Sequence, residues 1–390
     1  MGTALIIACA HEGTWAGLLS LPIVVGAGLI SYSAYLWHHP LFAFARIRTL
    51  DEVSLSAYGA LILLTLLLAY ISWRFVETPF RGKHIVSRRI LLASVVLASA
   101  MLLGAGVYGH VSGGGMQRFD AKQASVLELL RYPRAKVYRE GACFLTPEQQ
   151  AADFAPECHS GLKHGPRRPL VVWGDSHAAS LHMGIFAAAG PAGKVQLTAS
   201  RCPPLMGYFV ATRPHCHQAI NDRVLALLAS AVEPRVFLAA NWINDTKHAD
   251  MRPYLRKTIA AIHSMGGEVV LVGSLPRWSP SLPERLLREM LISGVGLDRL
   301  ASRYHPSRLQ ELESIDGVLK DVAQEYKIRM VSVIDTLCTN EGCSVFVERD
   351  AIRELIVWDQ AHLTLAGSLL VGKNVVDPEI PEPAAGSTER

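Results

Sequence analysis

"LVVWGDSHAASLHMG", Leu170 to Gly184, runs from apolar β-formers to Gly174 and then through Asp175, Ser176 and His177 into a segment rich in helix formers. This is a strand-to-helix corner, and in open parallel sheets ligands sit outside the carboxyl ends of such strands. The corner opens a series. "PLVVWG", "KVQLTA", "PRVFLAA", "EVVLVGS" and "RMVSVID" are strand candidates, and residues 178–189, 216–231, 251–265 and 306–326 are helix candidates in the intervals. The alternation predicts a parallel-sheet α/β domain over residues 168–375, long enough for one buried core. At its first corner, the Ser176 backbone N–H and the positive end of the following helix suit an oxyanion, and the hydroxyl becomes a nucleophile if a base reaches it. Asp-Ser before a helix is also an ordinary N-cap, so the serine needs a partner to mean more.

Outward from this domain the chain becomes apolar. Its 390 residues are 50% hydrophobic with a mean hydropathy of +0.23, above the average for a soluble domain. The excess is localised. "SLSAYGALILLTLLLAYISW" (54–73) and "ILLASVVLASAMLLGAGVYG" (90–109) are uncharged runs of bilayer-spanning length, and residues 22–45 form a third run interrupted by His38, His39 and small hydroxyls. About three spans are therefore expected in a membrane α-helical segment, residues 1–110. "TALIIACA" before His11 is too short to cross and lacks the basic start of a signal peptide. The loop holding Arg74, Arg81, Lys83, Arg88 and Arg89 against Glu77 should be cytoplasmic, which places everything after the last span on the other side. Glu77 and Arg81, four apart, suit a local ion pair at a turn made by Pro79. His38 and His39 in "YLWHHP" suit either intramembrane chemistry or a wet interfacial belt.

The net charge of +4 is small and concentrated near the membrane, so nucleic acid is not expected as a partner. Residues 111–167 form a linker region opened by "VSGGGMQRF", and the acidic, proline-rich residues 376–390 are expected to be a disordered tail. Six cysteines lie beyond the last span. In an oxidising compartment the economical pairing is by neighbours, Cys143 with Cys158, Cys202 with Cys216 and Cys338 with Cys343, although six cysteines allow many other connectivities. Their spacing does not suit zinc, and no metal is expected.

The serine's partner stands near the chain's end, in "VWDQAHLTLAG". Asp359 and His362 are three apart; on one turn at a helix start the carboxylate can hold the imidazole Nδ1–H and leave Nε2 facing a serine.

"GDSH" after the first strand with a closing "D-x-x-H-L-T" resembles the SGNH hydrolase superfamily. The resemblance implies a flavodoxin-like three-layer domain acting through a triad of Ser176, His362 and Asp359. It also implies an oxyanion hole with a Gly and an Asn. "TASRCPPL" has no glycine at the second corner, while "LAANWIND" supplies Asn241, with Ala239 where a Gly is usual. In the apolar part, "GLISYSAYLWHHPLF" followed by "SWRFVETPFR" resembles the last stretches of the acyltransferase-3 family, membrane enzymes that move acyl groups onto cell-surface carbohydrates. Together the two resemblances imply a bacterial inner-membrane O-acyltransferase with a periplasmic SGNH domain, O-acetylating a glycan such as lipopolysaccharide O-antigen. Carbohydrate acetyl esterase and inactive glycan-binding module are the alternatives. The implied partners are the lipid bilayer, the glycan and a separate chain supplying further membrane helices, since the chain looks like the C-terminal portion of such a protein. No cofactor is expected to stay bound; the implied donor is acetyl-CoA or a membrane-relayed acetyl group.

Overall fold

The computed structural model describes residues 17, 19–49, 53–81, 87–115, 117, 119, 126, 131–164, 168–190, 193–211, 213–245, 250–349 and 352–376. The expected tail from Asp377 lies outside them, as do "TALIIACA" and Lys83. The chain divides into two compact units, Met1–Asp120 and Ala121–Arg390.

In the first unit, helix α1 (Pro22–Arg48) opens on a proline, whose missing N–H costs nothing in a first turn. Ser54 and Ser87 cap α2 (Leu55–Ser72) and α3 (Arg88–Val111), accepting from the N–H groups of Ala57 and Ile90 at 3.3 Å each. Among the described residues, two helices are long and apolar enough to cross a membrane, Leu55–Phe80 and Arg88–Val111. The expectation of three spans is corrected: α1 has 27 residues, but His38, His39 and the hydroxyls of Ser31, Tyr32, Ser33 and Tyr35 dilute its apolarity. Pro79 also makes no turn. A wide π-helical turn, Trp73–Glu77, carries α2 into Thr78–Arg81, and its looser ladder accommodates a residue with no N–H. The Glu77 carboxylate accepts a hydrogen bond from Ser33 of α1. The Arg81 side chain, and with it the expected Glu77–Arg81 pair, lies outside what is described.

The second unit is built on a six-stranded parallel sheet. Its strands are β1 (Phe144–Leu145), β2 (Leu170–Gly174), β3 (Lys194–Ala199), β4 (Arg235–Ala239), β5 (Glu268–Val272) and β6 (Arg329–Val331), in the order β1-β3-β2-β4-β5-β6. All five expected strands are present. The sheet also takes in β1, from the segment expected to be a linker, beside β3. Five consecutive buried residues in β2 are what a central strand covered on both faces requires. Trp173, Leu197 and Leu238 face one apolar layer with helices α5 (Asn221–Leu228), α6 (Arg252–Ser264) and α8 (Leu309–Tyr326). Val172, Phe237 and Val270 face the other, with α4 (Ser176–Ala188), α7 (Leu282–Ser293) and α9 (Leu365–Val376). The result is the three-layer α/β arrangement. Helix α7 has no counterpart among the expected helices, although Pro283 in its first turn and Gly294 at its C-cap, with φ 70°, bound it in the usual way.

All three neighbour pairings of cysteines are joined: Cys143–Cys158, Cys202–Cys216 and Cys338–Cys343, at sequence separations of 15, 14 and 5. The first two fasten β1 and the corner after β3, both of which border the serine corner described next.

Two close backbone approaches set the position of α4. A Cβ on Gly174 would stand 1.7 Å from the Ala239 carbonyl oxygen, so only glycine lets β2 end beside β4. A Cβ on Gly184 would stand 1.6 Å from the Ser368 carbonyl oxygen, which is how closely α4 and α9 pack. The Gly184 N–H donates to Ser368 Oγ at 2.9 Å in the same contact.

Candidate active site

Ser176 is the first residue of α4, directly after β2 and its N-cap Asp175. The capping expectation is right for the aspartate and incomplete for the serine. Buried Asp175 accepts from the His177 N–H through Oδ1 at 2.7 Å and from the Asn241 N–H through Oδ2 at 2.7 Å, tying the corner after β2 to the corner after β4. The half-buried Ser176 hydroxyl lies instead 2.8 Å from His362 Nε2.

His362 Nδ1 donates to Asp359 Oδ2 at 2.7 Å, and Asp359 Oδ1 accepts from the N–H groups of Ala361 and His362 at 2.9 and 2.8 Å. Asp359 and His362 sit in the turn before α9, not on a helix as expected; the carboxylate closes that turn on itself and so fixes the residue that carries the imidazole. Burial pushes the Asp359 carboxyl up, but the hydrogen bond and attraction of His362 and the two amides outweigh it and hold the group below its ordinary value. Asp359 is thus an anion in neutral solution, oriented on Nδ1, with Nε2 directed at a hydroxyl.

The three residues come from opposite ends of the domain sequence, and the tight α4–α9 contact sets their spacing: α4 begins at Ser176 and α9 begins three residues after His362. Asn241, at the end of β4, is half-buried beside them and lines the same cavity of ≈ 640 Å³, with Ser200, Thr146 and Trp358. Ser176 and Asn241, the two residues from which an oxyanion hole is expected, thus line one cavity. After β3, where no glycine stands, Arg201 itself adopts φ 53°. The backbone makes the left-handed corner despite the side chain.

Three aromatic residues that sequence reasoning missed clamp the imidazole. Trp358 stacks on His362 with centroids 5.8 Å apart, and Tyr132 stacks on Trp358 at 5.7 Å. The Trp358 Nε1–H donates to Tyr138 Oη at 2.7 Å, and the Tyr138 hydroxyl donates to the Leu363 carbonyl at 2.9 Å. Tyr138 thereby pins the residue after His362 from a segment more than two hundred positions away. Tyr138→Phe is expected to leave the Trp358 donor and the Leu363 acceptor unmatched and to lower unfolding stability by about 1–3 kcal/mol. Equal thermal midpoints for variant and parent would refute the clamp.

His177, next to the serine in sequence, does not hydrogen-bond locally through its side chain. The residue is 4% exposed, neither ring nitrogen has a partner among the described residues, and the ring meets His362 edge-on at 5.1 Å. Burial lowers its pKa from 6.5 to about 4, so it is neutral beside the His362 imidazole in neutral solution. His182, 1% exposed and donating through Nδ1 to the Ala179 carbonyl at 2.7 Å, is likewise lowered to about 4 by burial. Between about pH 6.5 and about pH 4 the unfolded chain binds a proton at residue 182 that the folded chain refuses, so stability falls as pH falls through that window. Between pH 7 and pH 5 the loss at this residue is about 2 kcal/mol. Urea unfolding of His182→Leu should lose less stability over that interval than the parent, and parallel pH slopes would disprove the burial account.

A three-layer α/β domain whose serine corner, asparagine corner and C-terminal Asp-x-x-His converge on one cavity is an SGNH-type domain. A family model described as "SGNH domain (fused to AT3 domains)" matches residues 142–377, more than half of the chain, and the chain belongs to that family. The periplasmic domain of the lipopolysaccharide acetyltransferase of Salmonella ser. Paratyphi A has the same fold, with a TM-score of 0.53 at 19% identity over 65% of this chain and 98% of that one. The O-acetyltransferase OatA of Staphylococcus aureus strain NCTC 8325 is 42% identical over 84 residues, 21% of this chain. The match spans only 14% of that relative's length.

Proposed function

We propose that the chain is a membrane-attached O-acyltransferase that passes an acetyl group to a hydroxyl of a cell-surface glycan, lipopolysaccharide O-antigen being one such glycan. In this reading, Leu55–Phe80 and Arg88–Val111 anchor it in the bacterial inner membrane and the SGNH domain lies in the periplasm. The observation that carries the reading is the relay itself: a serine oxygen 2.8 Å from an imidazole nitrogen whose other nitrogen is 2.7 Å from a carboxylate, opening on a cavity of ≈ 640 Å³. A cavity of that size suits one or two sugar rings.

Ser176 Oγ attacks the acyl carbonyl while His362 Nε2 takes its proton, and Asp359 stabilises the imidazolium. The Ser176 N–H and the Asn241 side chain hold the tetrahedral oxyanion. Its collapse breaks the bond to the donor's leaving group, which receives the proton from His362, and leaves acyl-Ser176. A sugar hydroxyl then attacks this ester, His362 takes that proton, and the second collapse returns it to Ser176. The donor is acetyl-CoA or an acetyl group relayed through the membrane.

Partial exposure of Ser176 and His362 also supports a second reading, in which water takes the sugar's place and the chain is a carbohydrate acetyl esterase. The detergent-held chain should be given an acetyl ester with and without a glycan acceptor. Acetylated glycan formed at the expense of free acetate supports transfer; acetate release indifferent to acceptor supports hydrolysis and removes transfer.

A further inference from the structure

Arg201 stands at the corner after β3 with φ 53°, in the region that favours glycine. A large cationic side chain has been placed where the backbone geometry asks for none. The side chain is exposed and lines the cavity that holds Ser176, His362 and Asn241.

The other charges around this cavity are committed. Arg134 faces Glu140 at 3.6 Å, and the Asp175 carboxylate has one oxygen on the His177 N–H and the other on the Asn241 N–H, at 2.7 Å each. No described residue gives the Arg201 guanidinium a hydrogen bond or an ion pair. A guanidinium binds planar carboxylates and phosphates through paired N–H donors, and does so most strongly where water is partly excluded. Its neighbours in the cavity, Ser200, Thr146 and Asn241, are neutral donors and acceptors suited to sugar hydroxyls.

We propose that Arg201 reads an acidic group, carboxylate or phosphate, on the glycan bound in this cavity, so that the preferred acceptor is an acidic saccharide. This rests on the cavity being the acylation site proposed above. An acidic group held by Arg201 would orient the sugar ring and leave a hydroxyl to approach Ser176.

The test separates binding from turnover. The Ser176→Ala chain of residues 1–390, held in detergent, is titrated with glucuronic acid, glucose and inorganic phosphate by ligand-observed NMR. Glucuronic acid is expected to bind at least about tenfold more tightly than glucose, the order of one charge-assisted bidentate contact. That advantage should vanish when Arg201→Gln is added and reverse with Arg201→Glu. Arg201→Gly, which suits the left-handed backbone and so protects folding, should abolish it too. Equal binding of the two sugars, an advantage that survives loss of the guanidinium, or inorganic phosphate binding that is unchanged in Arg201→Gln would each overturn the proposal. Absence of Ser176-dependent turnover in the wild-type chain would sink the catalytic reading instead, and leaves these binding results to decide the role of Arg201.

Discussion

Ser176→Ala is expected to lower kcat/KM on an acetyl ester by about 10⁴-fold or more while leaving the thermal midpoint of the domain unchanged. The hydroxyl is the one atom removed, and among the described residues its one hydrogen-bond partner is His362 Nε2 at 2.8 Å, so folding loses little. Asp175, not the serine, caps α4. Asp359→Asn should cost a similar factor, about 10³–10⁴, for a different reason. The amide oxygen can still close the turn by accepting from the Ala361 and His362 N–H groups, but the NH₂ group then faces Nδ1. The imidazole must put its proton on Nε2, where it can no longer take one from Ser176. The pair should therefore be strongly non-additive: the double variant should be little slower than Ser176→Ala alone. Steady-state rates on a chromogenic acetyl ester measure both. A Ser176→Ala chain retaining more than a tenth of the parent rate would remove this serine from the chemistry, and additive losses would separate Asp359 from it.

What could be anticipated from the residues divides by the range over which each signal acts. Ser176 and the Asp359–His362 pair were legible because each lies in a short segment with its own local logic, a strand-to-helix corner and an Asp-x-x-His turn. The five long strands were legible for the same reason, as runs of β-formers with turn residues at their ends. Tyr138 and Trp358 were not, because their meaning lies in a contact across 220 residues between a segment with no regular pattern and the turn before α9. Strand β1 is two residues long and carries no periodicity at all. Arg201 was visible only as a missing glycine; its left-handed backbone belongs to the corner, which a side-chain pattern does not record. The third membrane span failed on degree, since α1 has the length of a span but carries two histidines and four hydroxyls along it.

Gly184→Val is expected to have the largest effect on stability, about 3 kcal/mol or more, and to damage the site without touching it. A Cβ at residue 184 would lie 1.6 Å from the Ser368 carbonyl oxygen and 2.4 Å from its carbon, which are backbone atoms of a buried helix and cannot rotate aside. The only relief is for α9 to move away from α4. That shift breaks the 2.9 Å bond from the Gly184 N–H to Ser368 Oγ, and the 3.1 Å bond from the same hydroxyl to the Leu181 carbonyl. Because His362 enters α9 three residues before its first turn and Ser176 begins α4, a displacement of one ångström between the helices is passed directly to the 2.8 Å gap between imidazole and hydroxyl. A position error of that size costs about 10²-fold in rate. Gly317→Ala, in α8, is the matched control: nothing lies within 4 Å of its added Cβ, and the change should raise helix stability by roughly 0.5–1 kcal/mol with the turnover rate unchanged. If Gly184→Val unfolds at the parent midpoint and turns over at the parent rate, the α4–α9 contact does not set the geometry of the relay, and the spacing of Ser176 and His362 must be fixed by the sheet and the Tyr138 clamp instead.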